Sequence, residues 1–163
     1  MSNESFIIGI DPGLTKTGWG VVKKSGDDIK YIECGVIKTE SSDSMENRLT
    51  FIYNSVLNLI SRFNPLGVAM EQVFVNLNPG SSQKLIMART ASFLAIAKSG
   101  YVVKEYTPNE IKKNITGLGH SSKDQIYVMV QKILNSDIRK DNISVTLDSI
   151  DALAVAVCHA FSL

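Results

Sequence analysis

The stretch that most constrains the fold is an apolar run near the N-terminus, Phe6 to Ile10, that ends abruptly in Asp11-Pro-Gly. An unbroken apolar run is typical of a central strand covered on both faces. The three glycines that follow predict a tight reversal into Trp19 to Val22, the second arm of a hairpin. Asp11 therefore lies where a buried strand ends. Taken alone, it fits either an ordinary turn or a site where the backbone approaches a ligand closely.

The rest of the chain alternates strand and helix patterns. Residues 30–38 alternate and complete an antiparallel three-stranded unit, and a strand at 66–70 ends directly in Glu71. A further strand is expected at 101–105. Helices are expected at 49–63, at 81–98, after Thr107-Pro108, after a capping box at Ser122/Gln125, and at 146–161. This order predicts an α/β fold whose later strands are parallel.

Length and composition fit a single domain, residues 1–163. The 44% hydrophobic content supports a core without a disulfide or structural metal. Cys34 and Cys158 lack metal-ligand spacing, so we expect buried free thiols and no zinc site. No apolar run is long enough to span a bilayer, and the N-terminus lacks a signal-peptide pattern, which together predict a cytoplasmic protein with no membrane partner.

The net charge of +1 hides an uneven distribution. Residues 84–140 carry 10 basic and 4 acidic side chains, a balance of +6, whereas residues 141–163 carry three Asp and no base, a balance of −3. This pattern suggests a polyanion on one surface and a metal cation on another, with an ordinary solvated helical surface as the alternative. Lys112 and Lys123 flank a glycine loop, residues 117–122, that leads into a helix N-terminus and so suits a phosphate.

Four carboxylates occupy positions from which they can converge. Asp11 and Glu71 end strands that can be neighbours, and Asp148 and Asp151 project from one face near the start of the last helix, where helix-start preference alone also favours acids. Two carboxylates about 4 Å apart repel by up to roughly 4 kcal/mol at an effective dielectric constant of 20, so such a cluster requires protons or cations. Mg²⁺ prefers oxygen ligands and works with substrate phosphate. The pattern therefore indicates metal-dependent hydrolysis of a nucleic-acid phosphodiester.

Four ordered motifs span nearly the whole chain: GIDPG with TGWG, then EQVF, then GLG with a lysine beyond it, then DSIDALAVAV. With these motifs the sequence resembles the bacterial RuvC-type Holliday-junction resolvases. The resemblance implies an RNase H-like fold, with a five-stranded mixed sheet in which strands 1 to 3 are antiparallel, strands 4 and 5 are parallel to strand 1, and helices cover both faces. It also implies a homodimer that nicks two like-polarity strands of a four-way DNA junction symmetrically, in recombination and repair.

The resemblance further implies two Mg²⁺ ions per active site, for which Mn²⁺ can substitute, and the branch-migration motor complex of the same pathway as a partner. The matching metal-binding and catalytic acids are Asp11, Glu71, Asp148 and Asp151. Lys112 and Lys123 match basic residues near the scissile phosphate, with Lys123 also counted as catalytic. Phe74 matches an aromatic residue on the loop that enters the junction, although it also fits a side chain that anchors its loop by packing.

Two other function classes stay open at this point. The opening hairpin also resembles the phosphate-binding hairpin of actin-like and sugar-kinase ATPases, but such enzymes need two domains of this kind and this chain has room for one. The other alternative is a non-catalytic nucleic-acid-binding module. It leaves the four acids unexplained, because acids near phosphate weaken binding unless a metal intervenes.

Overall fold

The computed structural model describes residues 5–74, 78–138 and 145–163, built around a five-stranded sheet in the order β3-β2-β1-β4-β5. β1 and β2 pair antiparallel, as do β2 and β3, whereas β4 is parallel to β1 and β5 is parallel to β4. The predicted mixed sheet is confirmed. The strands are β1 (Ser5–Asp11), β2 (Lys16–Ser25), β3 (Asp28–Lys38), β4 (Gly67–Glu71) and β5 (Val103–Tyr106).

Helices cover both faces of the sheet, as expected. α1 and α2 pack on one face, where Ile8 and Ile10 of β1 join their core, and α3, α4 and α5 cover the other face, where Ile7 joins theirs. β1 thus contributes to both cores, as β2 and β4 also do, which explains its unbroken apolar sequence. The helices are α1 (Met45–Phe63), α2 (Pro79–Lys98), α3 (Pro108–Thr116), α4 (Lys123–Leu134) and α5 (Leu147–Ser162).

Side-chain caps set where the helices begin. Ser44 accepts a hydrogen bond from the backbone N of Asn47 at 3.2 Å, which starts α1 at Met45, four residues before the predicted start. The predicted capping box at Ser122 and Gln125 is confirmed, with both of its hydrogen bonds formed. Cap chemistry therefore decides boundaries that apolar periodicity alone misplaces.

Close packing of α5 on the sheet corrects one prediction. A Cβ on Gly9 would overlap the backbone of Ala152, and one on Gly18 would overlap the carbonyl group of Asp148. Gly18 lies within β2, opposite Asp11, and not in the turn. The prediction that Gly18 belongs to the tight reversal is wrong, because its missing side chain makes room for α5.

The predicted burial of the two free thiols is confirmed, and other small or polar side chains are buried as well. Ala88, Ser92 and Ala95 of α2 are buried in the core, so the small-residue pattern of this helix serves internal packing. Cys34 and Cys158 are buried free thiols. His159 is a buried packing residue whose Nδ1 lies 3.0 Å from the hydroxyl of Tyr106. Among the described residues, no helix is long and apolar enough to cross a membrane.

Candidate active site

Two carboxylates lie side by side where β1 and β4 end. Ile10 pairs with Met70 in the parallel register, so Asp11 and Glu71 follow at the same level on neighbouring strands. Residues at one level of adjacent strands project from the same face and stand about 4.8 Å apart across the ladder. Gly9 places this face against α5, so both carboxylates lie between the sheet edge and that helix.

The start of α5 brings the remaining acids to the same edge. Thr146 caps the helix, with its backbone N donating to the Ser149 Oγ at 3.0 Å. α5 then crosses the sheet with its first turn beside Gly18 and Asp11. Asp151 shares a cavity with Asp11, whereas Asp148 does not line that cavity and acts on it through its charge. The predicted convergence of acids therefore holds closely for three of the four.

We call this space the carboxylate cavity, and its volume is about 500 Å³. It contains three of the predicted acids and both predicted lysines: Asp11, Glu71, Asp151, Lys112 and Lys123. The ends of α3, α4 and α5 complete its walls through Pro108, Ile111, Ser121, Ser122, Ile126 and Ala154. Residues from five separate parts of the chain thus meet in one pocket of mixed charge.

Burial and mutual repulsion change the proton affinity of the acids. The pKa of Asp11 is raised to about 8, chiefly by burial and also by the negative charges of Glu71 and Asp151. Burial likewise raises the pKa of Glu71 and of Asp151, while Lys123 opposes both shifts. Near neutral pH and without a metal, the carboxylate pair of Asp11 and Glu71 therefore retains a proton. The cavity favours a positive charge of some kind.

Lys123 is the basic residue in direct contact with these acids. Its Nζ donates to the Asp151 Oδ2 at 3.2 Å, and the negative charge of Asp151 raises the pKa of Lys123. The lysine side chain is 71% exposed, so the pair contributes less than about 1 kcal/mol to stability. Such a weak contact can be exchanged for a phosphate oxygen at little cost. Lys112 has no direct ion pair in the described residues but acts on Glu71 through its charge.

The N-terminus of α4 meets the cavity but is already capped. Ser122 Oγ accepts from the backbone N of Gln125 at 3.2 Å, and the Gln125 side chain accepts from the backbone N of Ser122 at 2.8 Å. In the preceding loop, the Ser121 Oγ donates to the carbonyl oxygen of Leu118 at 2.9 Å. These donors are occupied within the loop. The Lys123 side chain, more than the helix N-terminus, is therefore the group able to meet a phosphate here.

The donor set suits a hard divalent cation, although the side chains have not closed around one. Among the described residues, no group of three or more Asp, Glu, His or Cys side chains converges closely enough to hold a metal ion. The ion pair with Lys123 holds Asp151 towards the lysine, and Asp148 stays outside the cavity lining. Buried carboxylates with raised pKa values and no thiol or imidazole beside them nevertheless match the oxygen chemistry of Mg²⁺.

Phe74 lies outside the cavity. It follows β4 and is 61% exposed, which does not suit a residue that anchors its loop by packing. Residues 75–77, which belong to the predicted loop after Glu71, lie outside the described residues. The structure thus places the aromatic ring on the surface beyond the end of β4.

The sequence analysis did not identify the buried charge of Arg48. Arg48 is only 8% exposed, and its Nε donates to the Thr39 Oγ1 at 2.9 Å. The signal was available, because Arg48 precedes the buried residues Ile52 and Val56 at intervals of four and so lies on the inward stripe of α1. A charged residue on an apolar helix face predicts a buried polar contact.

Comparison with known proteins places the chain in a family. A sequence model described as crossover junction endodeoxyribonuclease RuvC matches residues 7–159. The chain is 46% identical over 151 residues to the crossover junction endodeoxyribonuclease RuvC of Orientia tsutsugamushi, covering 93% of this chain and 92% of that protein. It is 42% identical over 156 residues to the protein of the same description from Ehrlichia canis, covering 96% of each.

Solved structures agree with the sequence comparisons. The structure described as T. thermophilus RuvC in complex with Holliday junction substrate has a TM-score of 0.87 at 31% identity, covering 97% of this chain and 94% of that chain. The yeast mitochondrial Holliday junction resolvase Ydc2, at 16% identity and a TM-score of 0.68, covers 94% of this chain and 77% of that one and shares the fold. The chain therefore belongs to the RuvC family of crossover junction endodeoxyribonucleases and has its RNase H-like fold.

Proposed function

We propose that this chain resolves Holliday junctions by symmetrical, Mg²⁺-dependent nicking of two like-polarity strands, in recombination and repair. The observation that carries the proposal is the carboxylate cavity, where acids with raised pKa values meet two lysines at the ends of β1 and β4. The family match over residues 7–159 supports it, and membership of this nuclease family implies dependence on a divalent metal. The family match does not favour either alternative, the ATPase domain or the non-catalytic nucleic-acid-binding module.

We assign the metal ligands to the four acids, Asp11, Glu71, Asp148 and Asp151, with two Mg²⁺ ions per site and Mn²⁺ as a substitute. Mg²⁺ held by these acids would supply activation of water for attack and stabilisation of the oxygens of an in-line phosphoryl displacement. The fold holds Asp11 on a buried strand and Asp151 on a capped helix, so both carboxylates are positioned before substrate binds. Asp11 would hold a cation as its carboxylate, so the proton that its pKa of about 8 retains in the free protein competes with the cation.

The lysines are assigned to the substrate phosphate. Lys123, released from Asp151, stabilises the charge that develops on the phosphoryl oxygens and thus takes part in catalysis. Lys112 holds the same backbone from the α3 side of the cavity. Phe74 is assigned to base stacking inside the junction, for which its 61% exposure suits it.

Symmetrical cutting requires two active sites, and we therefore propose a homodimer. An exposed apolar surface on α2 supports this part of the proposal: Ile86 is 43% exposed and Phe93 36% exposed, two turns apart on one helix face. The guanidinium of Arg89 stacks over the Phe93 ring at 5.6 Å. We also propose that residues 1–163 form one domain, that it acts in the cytoplasm, and that it works with the branch-migration motor complex of the same pathway.

The test compares a labelled four-way junction with a linear duplex of matched sequence. Each strand of the junction is labelled in turn and incubated with the chain in the presence and absence of Mg²⁺. We expect paired nicks at symmetrical positions in two like-polarity strands, only in the junction and only with Mg²⁺. Equal cutting of the linear duplex, or cutting in a metal chelator, would contradict the proposed function.

A further inference from the structure

Tyr106 is buried at the end of β5, next to Glu71. Ile10 of β1 pairs with Met70 of β4, and Glu71 pairs with Tyr106 of β5, both in parallel register. Side chains at one level of adjacent strands project from the same face of a sheet. Asp11, Glu71 and Tyr106 therefore stand in a row across three strands, with Glu71 in the middle.

The hydroxyl group of Tyr106 contacts the C-terminal end of α5. It lies 3.0 Å from the Nδ1 of His159 and 2.7 Å from the Oγ of Ser162. The Ser162 Oγ in turn donates to the carbonyl oxygen of His159 at 2.8 Å. These three side chains form a closed set of hydrogen bonds, which we call the Tyr106 clamp.

The rings of the clamp are also held from outside it. A Cβ added to Gly67 would lie 2.5 Å from the Nε2 of His159, so the imidazole packs directly against the start of β4. The Lys104 Nζ lies 5.7 Å from the centroid of the Tyr106 ring. Burial and the charge of Lys104 lower the pKa of His159, and burial raises the pKa of Tyr106. Both rings are therefore uncharged near neutral pH.

The backbone of Tyr106 is tied to the residues that flank Glu71 and α3. The backbone N of Gln72 donates to the carbonyl oxygen of Tyr106 at 2.8 Å, directly after the Glu71–Tyr106 pair. Thr107, the next residue, caps α3 with both hydrogen bonds of its capping box formed. A displacement of Tyr106 would therefore disturb both the end of β4 and the start of α3, the helix that carries Lys112.

α5 carries acids at one end and the clamp at the other. Asp148 and Asp151 lie in its first two turns, whereas His159 and Ser162 lie in its last turn. A helix of 16 residues is about 24 Å long and behaves as one rigid element. The contact with Tyr106 thus fixes the far end of the same helix whose near end faces the carboxylate cavity.

We propose that the Tyr106 clamp positions Glu71 relative to the acids of α5, so that carboxylates from the sheet and from the helix reach one divalent cation together. Mg²⁺ demands short and nearly ideal coordination, so acids on separate elements serve it only when those elements are kept in register. No member of the clamp lines the carboxylate cavity, so Tyr106 acts through Glu71 as a positioning residue. The use of the cation in nicking rests on the proposed function, whereas its binding does not.

The test measures Mg²⁺ binding to the full chain without DNA, by calorimetry at pH 7. Tyr106→Phe keeps the ring and removes the hydroxyl group, so we expect Mg²⁺ to bind about 5- to 10-fold more weakly. Ile52→Val, in the core on the other face of the sheet, is the control for lost stability. Tyr101→Phe, which loses a hydroxyl that donates to the Asn64 Oδ1 at 3.5 Å, is the control for the chemical change. Both controls should bind Mg²⁺ with the affinity of the wild type.

A titration of junction nicking with Mg²⁺ separates positioning from a purely structural role. Tyr106→Phe should need about 5- to 10-fold more Mg²⁺ for its half-maximal rate, and its rate at saturating Mg²⁺ should stay within about 3-fold of the wild type. His159→Asn keeps a polar atom near the position of Nδ1, so it should lose less affinity for Mg²⁺ than His159→Leu, which has no polar atom there. The His159 pair still decides if Tyr106→Phe does not fold.

The outcomes distinguish the clamp from the proposed function. Mg²⁺ binding by Tyr106→Phe that equals binding by the controls overturns the clamp. A lower saturated nicking rate with unchanged Mg²⁺ affinity overturns it as well. Weaker Mg²⁺ binding by Tyr106→Phe, in a protein whose wild type does not nick the junction, supports the clamp and overturns only the proposed function. A wild type that does not bind Mg²⁺ overturns both.

Discussion

The carboxylate cavity and the buried guanidinium of Arg48 lie at the same edge of the sheet and hold buried charge of opposite sign. In the cavity, burial raises the pKa values of Asp11 and Glu71, so the pair retains a proton and carries less negative charge. Arg48 cannot lose its charge, and its guanidinium donates to two threonine hydroxyls. The charge of the first region therefore changes with pH and metal, whereas the charge of the second is fixed.

The largest expected effect comes from the cavity. Asp151→Asn keeps the size of the side chain but removes one carboxylate charge, so we expect nicking to fall by about 1,000-fold or more while junction binding without metal stays within about 3-fold of the wild type. A gel assay of labelled junctions measures nicking, and anisotropy measures binding. Nicking by this variant at the wild-type rate would remove Asp151 from the catalytic set.

The second prediction concerns pH and stability without metal. A carboxyl group whose pKa is raised in the folded state binds more protons there than in the unfolded chain, so stability falls as the pH rises from about 4 to about 8. We expect the free energy of unfolding to fall by up to about 5 kcal/mol across this range, at about 1.4 kcal/mol for each pH unit. Asp11→Asn should flatten the profile, which denaturant unfolding at several pH values measures. A wild-type stability that rises steadily over this range would contradict the shift.

Substitution of Lys123 should lower the nicking rate more than it lowers junction affinity. Lys123→Ala removes a charge that contacts Asp151 and faces the cavity, so we expect nicking to slow by about 10- to 100-fold and junction affinity to change by less than about 3-fold. Lys132→Ala, on the same helix but outside the cavity lining, is the matched control. Equal losses of rate and affinity would make Lys123 a docking contact only.

The smallest effect is expected away from both regions. The Ser92 Oγ is fully buried without a hydrogen-bond partner, next to the core alanines of α2. Ser92→Ala removes this unpaired hydroxyl and leaves the Cβ in place, so we expect the free energy of unfolding to rise by about 1 kcal/mol with nicking unchanged. Thermal unfolding measures the stability of the variant, and the junction assay measures its nicking rate. A loss of stability would show that Ser92 has a partner, such as a bound water, that a buried alanine cannot replace.

The sequence predicted most of the fold because its signals were local and repeated. The apolar run before Asp11, the strand before Glu71 and the capping box at Ser122 each mark an element and its end. Gly18 was misplaced because a glycine that admits a helix across the sheet looks, in sequence, like a glycine of a turn. Only the tertiary packing of α5 distinguishes the two.

Part of the site was also predictable from local sequence signals. Asp11 and Glu71 end strands, and Asp151 lies near the start of a helix that packs across them, so the order of the elements brings the three together. The looser position of Asp148 depends on how the start of α5 lies on β2. The pairing of Arg48 with Thr15 and Thr39 joins three separate segments. No short-range pattern connects those residues, although the helical position of Arg48 indicated that its charge would be buried.

Metal binding measured by calorimetry in two buffers of different ionisation enthalpy tests the central claim most directly. If Mg²⁺ replaces the proton held by the buried carboxylates, the wild type at pH 7 releases close to one proton per active site on binding, since the pKa of Asp11 is about 8. Asp11→Asn should release almost none and bind more weakly. Wild-type binding without proton release, or equal release by Asp11→Asn, would contradict the account.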